Sequence, residues 1–323
     1  MSVLIPEAAR RLHAGELVAF PTETVYGLGA DAANPEAVAK IFELKGRPAD
    51  HPLIVHFADP LAMAQWAREV PPAAMTLAAR FWPGPLTIIL RKAGRVPAVV
   101  TGGQDTVGLR CPSHPVALEL LRELARIGSG AVAAPSANRF GNVSPTTAQH
   151  VREEFGGDLM VLDGGACEVG LESTIVDLSR GAPVLLRPGA ITRRDIEAVL
   201  GIAPAPPDAA APRASGTLEA HYAPRTALVL ADAARIASQA GDASVAVLAM
   251  RPKPANAKDG AWIAAPADPL RYGHDLYANL RTLDRSGARW ILVEAPPAIA
   301  AWEAVNDRLG RAAAGTAALD DEP

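Results

Sequence analysis

The chain has 323 residues and only two cysteines, Cys111 and Cys167, with no C-x-x-C pair. A disulfide framework and a zinc knuckle are therefore both excluded. Aromatic residues make up only 5% of the chain, and charge is nearly balanced at a formal −4. With no basic domain, extended nucleic-acid binding is disfavoured. No apolar run reaches 18 residues, so no spanning helix is expected. The first dozen residues are too charged and interrupted for a secretory leader, and a cytoplasmic location follows by default. G-x-x-x-x-G-K-[ST] is missing, as is G-x-S-x-G, which argues against a P-loop and an α/β-hydrolase elbow. His51, His56 and His114 match no standard zinc spacing and lack paired carboxylates. Gly27-Leu28-Gly29-Ala30-Asp31-Ala32 fits G-x-G-x-x-A, but the next helix starts only at Asn34-Pro35. A dinucleotide site needs its helix to open within the glycines, so this match is rejected.

What is present alternates between helical and strand patterns. Helices are expected over 6–14, from Asn34 to about Leu44, in two pieces of 59–80 split at Pro71-Pro72, over 113–126 and over 192–200. Strands are expected at 17–20, 53–57, 86–90, 106–109, 131–134, 174–178 and 184–186. The fold class is α/β, with a large mixed sheet in a first domain over 1–201. Residues 202–224 are rich in Pro and Ala and read as a stiff linker. A small α/β domain with a parallel sheet follows over 225–313, then a tail over 314–323.

Three phrases carry the chemistry: Pro21-Thr22-Glu23-Thr24-Val25-Tyr26-Gly27-Leu28-Gly29, Lys45-Gly46-Arg47-Pro48 and Pro135-Ser136-Ala137-Asn138-Arg139. Each joins backbone punctuation to cations or neutral hydrogen-bonding groups. Lys45 and Arg47 suit a polyphosphate, or simply face the negative end of their helix. Arg110 closes an apolar strand and is either a satisfied surface residue or a bidentate carboxylate ligand. Ser136 and Asn138 follow a buried strand, where α/β ligands bind, or form a plain turn. Ser144 precedes Pro145 and also suits a helix cap. Ser173 occupies a strand-like position, and Arg187 directly follows a buried strand. Thr192 with Asp195 is simply a cap. There is no triad and no clear carboxylate pair. Such a set works by holding charged reactants in line, as in phosphoryl or nucleotidyl transfer.

At these phrases, residues 3–200 resemble the threonylcarbamoyl-AMP synthase family, whose catalytic domain is called YrdC-like. The Pro-Thr-Glu-Thr-x-Tyr-Gly-Leu phrase, the Lys-x-Arg and the Ser-x-Asn are its hallmarks. His221-Tyr222-Ala223-Pro224 and Ala304-Val305-Asn306-Asp307-Arg308-Leu309 resemble the linker and final helix of its long form. The resemblance implies a YrdC-like twisted mixed sheet around a concave pocket, with a Rossmann-like C-terminal domain. It implies that ATP, L-threonine and bicarbonate give threonylcarbamoyl-adenylate and pyrophosphate, which a separate transferase uses to modify tRNA. By the same resemblance, Lys45, Arg47, Ser136 and Asn138 are the catalytic set. Thr24, His56, Arg110, Ala134 and Ser173 surround threonine. Arg47, His51, Thr106, Ser136, Ser144, Arg187 and Tyr222 contact ATP. His51 stands where the family pattern has Asn. Mg²⁺ accompanies ATP, with no protein metal ligands expected, and contact with tRNA is weak or indirect. Two alternatives share the fold: a carbamoyltransferase module of the hydrogenase-maturation type, and an RNA-binding module. The first needs zinc-finger segments that two lone cysteines cannot supply. For the linker, the expectation is a strap folded back over the catalytic cavity, with Tyr222 on the nucleotide.

Overall fold

A computed structural model describes residues 4–239, 241–255 and 260–320. The chain forms two compact units: 1–140, 145–168 and 172–217 make the first, and 141–144, 169–171 and 218–323 the second.

The first unit is built on nine strands: β1 (Val18–Phe20), β2 (Gly27–Asp31), β3 (Ile54–Phe57), β4 (Leu86–Arg91), β5 (Thr106–Arg110), β6 (Ala131–Ala134), β7 (Met160–Val161), β8 (Thr174–Asp177) and β9 (Val184–Arg187). Their order is β7-β1-β2-β6-β3-β5-β4-β8-β9, mixed parallel and antiparallel. Strand β2 lies inside the rejected glycine fingerprint. Its glycines serve packing rather than a cofactor: a Cβ at Gly29 would lie 2.6 Å from Val132 and 2.9 Å from Phe20.

Alternation along the strands assigns the two faces. One face carries Leu28, Ala30, Val55, Phe57, Ile88, Leu90, Val107, Leu109 and Val176, all in the large core beneath the helices. Helix Pro35–Lys45 belongs to that layer. It starts as anticipated: the Asn34 side chain accepts from the backbone N–H of Glu36 and Ala37, Pro35 opens the first turn, and Gly46 ends it at φ 64°. The other face is divided. Over β1 and β6, helices Leu4–His13 and Pro115–Ile127 bury Ile5, Leu12, Leu120 and Leu124 against Phe20, Val132 and Ala134. Over β8 and β9, Ala211 and Ala214 cover Ile54, Ile89, Ile175, Val184 and Leu186. Between these apolar patches the same face is polar.

The Pro/Ala-rich segment up to Thr217 is thus part of the first unit, not an independent spacer. Ala205 bridges to Val184, and the Arg213 guanidinium donates to the carbonyls of Asp50 (3.2 Å) and Gly102 (2.9 Å). Proline density forbids helix or ladder, but an extended strap needs neither.

The second unit has four parallel strands, β10 (Ala227–Ala231), β11 (Val245–Ala249), β12 (Trp262–Ala264) and β13 (Trp290–Glu294), ordered β10-β13-β11-β12. Helices Ala233–Gln239, Pro269–Asp284 and Glu303–Asp320 complete the alternation. The last helix runs through residues read as a tail, up to Asp320; 321–323 lie outside the described residues. Among the described residues no helix is long and apolar enough to cross a membrane.

Candidate active site

Register places His56, Arg110, Ala134 and Ser173 in one row, with Thr24 apart in the β1–β2 loop. His56 pairs with Arg110 across β3 and β5, and Leu109 with Ile88 across β5 and β4, which sets Arg110 beside Thr87. Thr87 in turn pairs with Ile175 of β8, two residues after Ser173. The Oγ atoms of Thr87 and Ser173 lie 2.7 Å apart. His56, Arg110, Thr87 and Ser173 are all buried and share the polar face. Gly108, two residues before Arg110, leaves that face without a side chain; a Cβ there would sit 3.3 Å from Thr87. Ala134 is at the edge of the row, opposite Ile54.

Two of these groups are held in place by the protein. His56 Nδ1 is 3.1 Å from the Ile54 carbonyl, and burial, aided by neighbouring Arg110, pushes its pKa down to about 3. It is a neutral imidazole at physiological pH. Arg110 is held along one edge: Nε donates to the Gly84 carbonyl (3.3 Å) and Nη2 to Glu23 Oε1 (2.7 Å). Among the described residues no hydrogen bond engages Nη1. Glu23 lies outside the sequence expectation. Its signal was its place inside the first hallmark phrase; what hid it is that only folding brings the β1–β2 loop to the end of β5. Thr22 shapes that loop, donating to the Val25 carbonyl (2.6 Å) and accepting from the N–H of Thr24 and Val25 (3.2 Å each), with the Thr24 hydroxyl 2.8 Å away.

The two other phrases meet beside the N-terminal end of β3. Ala137 N–H donates to the Tyr26 carbonyl (2.8 Å) and Leu28 N–H to that of Pro135 (2.9 Å), so the first and third phrases are laced together. Lys45 Nζ donates to the carbonyl of Ser136 (2.7 Å) and to that of Asn138. Burial, then the nearby Arg47 charge, drives the Lys45 pKa well below its usual value. Arg47 Nη2 donates to the Pro52 carbonyl (3.1 Å), with its guanidinium 5.9 Å from the Phe140 ring centre. His51 packs edge-on against the same ring at 5.4 Å. Burial and Arg47 lower its pKa, leaving a neutral ring with one donor and one acceptor.

The strap joins the two groups. Arg187 Nε and Nη2 donate to the Ser173 carbonyl (3.0 and 2.9 Å), and Nη1 to that of Ser215 (2.7 Å). Ser215 Oγ donates to the Pro52 carbonyl (2.7 Å), which Arg47 also contacts. Thr106 lies on the same polar face, two residues before Gly108. Ser144 and Tyr222 belong to the second unit. There Tyr222 is buried at φ 62°, with the Tyr277 ring 5.8 Å away, His221 4.1 Å away and the Arg308 guanidinium over it at 5.3 Å. The carboxylates nearby do not make a metal centre: Glu23 is committed to Arg110 and the Ser113 N–H, and no group of three His, Cys, Asp or Glu suited to a metal occurs among the described residues.

Residues 10–189 match the family described as "Telomere recombination", and 191–314 that described as "Threonylcarbamoyl-AMP synthase, C-terminal domain". A threonylcarbamoyl-AMP synthase of Pyrococcus abyssi is 42% identical, covering 94% of this chain and 92% of its own. That of Bacillus subtilis is 41% identical, covering 96% and 93%. A crystal structure of P. abyssi Sua5 complexed with L-threonine superposes with a TM-score of 0.88 at 38% identity, over 98% of this chain and 96% of that one. With one row of buried polar groups, two laced hallmark loops and full-length likeness to these enzymes, the chain belongs to the threonylcarbamoyl-AMP synthase family, ATP-using nucleotidyltransferases of tRNA modification.

Proposed function

We propose that the polar row is the amino-acid site and the laced loops the nucleotide site of one reaction, in which ATP, L-threonine and bicarbonate give threonylcarbamoyl-AMP and pyrophosphate. The observation that supports this reading is the hydrogen-bond chain Ser173–Arg187–Ser215–Pro52–Arg47, which runs from one group to the other within the first unit.

In this reading Arg110 takes the threonine carboxylate through Nη1 and the second hydrogen of Nη2, since Nε and the other Nη2 hydrogen are committed to the protein. Thr24, neutral His56 and Ser173 offer hydrogen bonds to the amine and hydroxyl, with Ala134 as an apolar wall. The threonine ammonium gives one proton to bicarbonate, which becomes CO₂ and water; the freed amine attacks the CO₂ carbon and releases its second proton to solvent, leaving a carbamate. A carbamate oxygen then attacks the α-phosphorus, and pyrophosphate leaves. Arg47, His51, Thr106, Ser136 and Arg187 line the nucleotide side. Lys45, anchored on the Ser136 and Asn138 carbonyls, fixes the loop that carries both residues. The work is alignment and charge compensation rather than covalent catalysis. The donor set does not suit a protein-held metal, so Mg²⁺ is assigned to the incoming MgATP. Ser144 and Tyr222 remain expectations from the resemblance.

The product passes to a separate transferase acting on tRNA. The reading places the enzyme in the cytoplasm, where free Cys111 and Cys167 stay reduced. Pyrophosphate release, measured with each substrate omitted in turn, tests the assignment. Release should require all three substrates, and equal turnover without threonine would refute it.

A further inference from the structure

A buried carboxylate paired with the arginine that takes a substrate carboxylate is at first sight a competitor for the site. Glu23 is 2% exposed and Arg110 4%. Glu23 Oε1 accepts from Arg110 and Oε2 from the Ser113 backbone N–H (3.0 Å), so the group is gripped from two points around the end of β5. Its backbone is fixed by the Thr22 turn. A strut between loop and sheet needs acceptors rather than charge; Gln keeps one acceptor for Arg110 but turns its amide N–H₂ towards the Ser113 N–H, so Glu23→Asp is the control that keeps both acceptors.

We propose that Glu23 is a positioning residue that makes the amino-acid site select a zwitterion. The inference rests on the assignment of Arg110 to the substrate carboxylate. Glu23 and Arg110 together are neutral. A ligand bound on the remaining edge of the same guanidinium brings its carboxylate close to Glu23, and the two anions repel. An α-ammonium, one carbon away from that carboxylate, feels the opposite force from Glu23. For a zwitterion the two contributions offset. For an anion of the same shape without the amine, only the repulsion remains. In a desolvated site such like-charge juxtaposition is an effective means of rejection. Hydroxy acids and other small carboxylates, which Arg110 alone would accept, are thereby excluded. The neighbouring imidazole does not blur this rule, because His56 contributes no charge at neutral pH. Lys45 and Arg47 lie with the other loops, around Ser136, Asn138 and Pro52.

The test is calorimetric titration of the full-length chain with L-threonine and with 3-hydroxybutanoate, which keeps the carboxylate and hydroxyl but lacks the amine. The wild type should prefer threonine by about 100-fold or more. In Glu23→Gln, 3-hydroxybutanoate should tighten by roughly tenfold while threonine changes by less than about threefold, so the preference narrows. Glu23→Asp keeps the charge and should keep the preference even if both ligands weaken. If Glu23→Gln weakens both ligands in parallel, Glu23 is a strut and the proposal is overturned. Should that variant not fold, the wild type decides: a preference below about threefold overturns the proposal equally. Arg110→Ala separates the underlying assignment. Full threonine binding by that variant would refute Arg110 as the carboxylate ligand, whatever Glu23 does.

Discussion

The two units use buried polarity in opposite ways. In the first, a nine-stranded mixed sheet carries Arg110, His56, Thr87 and Ser173 across the middle of one face, between two apolar patches. Arg110 there keeps a terminal nitrogen without a hydrogen bond among the described residues. In the second, β11 is buried along its length, and its nearest buried carboxylate is spent internally: Glu294 accepts from the Met250 N–H (2.8 Å) and from Arg251. Mixed pairing explains part of the contrast. Antiparallel and parallel neighbours bring the C-terminal end of β5 beside the N-terminal ends of β4 and β8, so groups from distant positions share one edge. The four-stranded sheet is all parallel, and its strands β10, β11 and β13 are nearly uniformly apolar.

The sharpest way to break the comparison is to cut the strap. Truncation after Leu200 removes Ala205, Ala211, Ala214 and Ser215 and uncovers Ile54, Ile89, Ile175, Val184 and Leu186. Because the strap covers that apolar patch, the shorter truncation should melt at a much lower temperature, while a cut after Thr217 should leave a cooperative fold. Thermal unfolding of the two truncations distinguishes them, and equal melting would show the strap to be ornamental. Next comes Tyr222→Ala. A ring that only touched a bound nucleotide would barely affect melting. Buried between Tyr277, His221 and the Arg308 cation, the ring instead should cost about 3–5 kcal/mol, like other large-to-small core substitutions. Tyr222→Phe is the cleaner probe of the hydroxyl; ATP affinity unchanged in it would remove that hydroxyl from the nucleotide set.

Arg110→Lys keeps charge but loses the fork. Threonine affinity should fall by about 1.5–3 kcal/mol, with ATP affinity changing far less. An unchanged threonine response would make Arg110 structural. His56 gives a pH signature. Its folded pKa of about 3 lies below the ordinary 6.5, so the unfolded chain binds the extra proton in that window. Stability should therefore fall as pH drops from about 6.5 towards 3, by at most about 1.4 kcal/mol per pH unit from this group. Denaturant melts of wild type and His56→Gln should diverge across that window, and parallel curves would refute a buried neutral His56. The smallest effect is Ser215→Ala. Losing its bond to Pro52 should cost about 0.5–1.5 kcal/mol and weaken ATP more than threonine. A larger loss for threonine would group Ser215 with the amino-acid side instead.

Local signals were legible because their physics is local. Asn34-Pro35 and Gly46 bound a helix, Thr192 and Asp195 make a capping box as read, and short apolar runs between turn residues are strands. The hallmark phrases also pointed to the residues now found converging. Three of the misses show why the rest was not legible. Strand β2 was missed because Gly27 and Gly29 are poor strand formers; at Gly29, Phe20 and Val132 leave no room for a Cβ. The strap was expected to fold back, but the groups it meets were not legible, because proline content reports which regular structures are impossible, not what an extended chain packs against. Glu23 was passed over because its importance comes from Arg110, 87 positions away in sequence.

The sequence by itself determined the α/β alternation, the helix ends, the two-part organisation and the identity of the polar groups, since each depends on residues within a few positions. Only the tertiary structure decided which groups share a face, that Glu23 meets Arg110, and that His56 and Lys45 have depressed pKa values. Strand order and burial set those, and both are properties of long-range packing that no local pattern encodes.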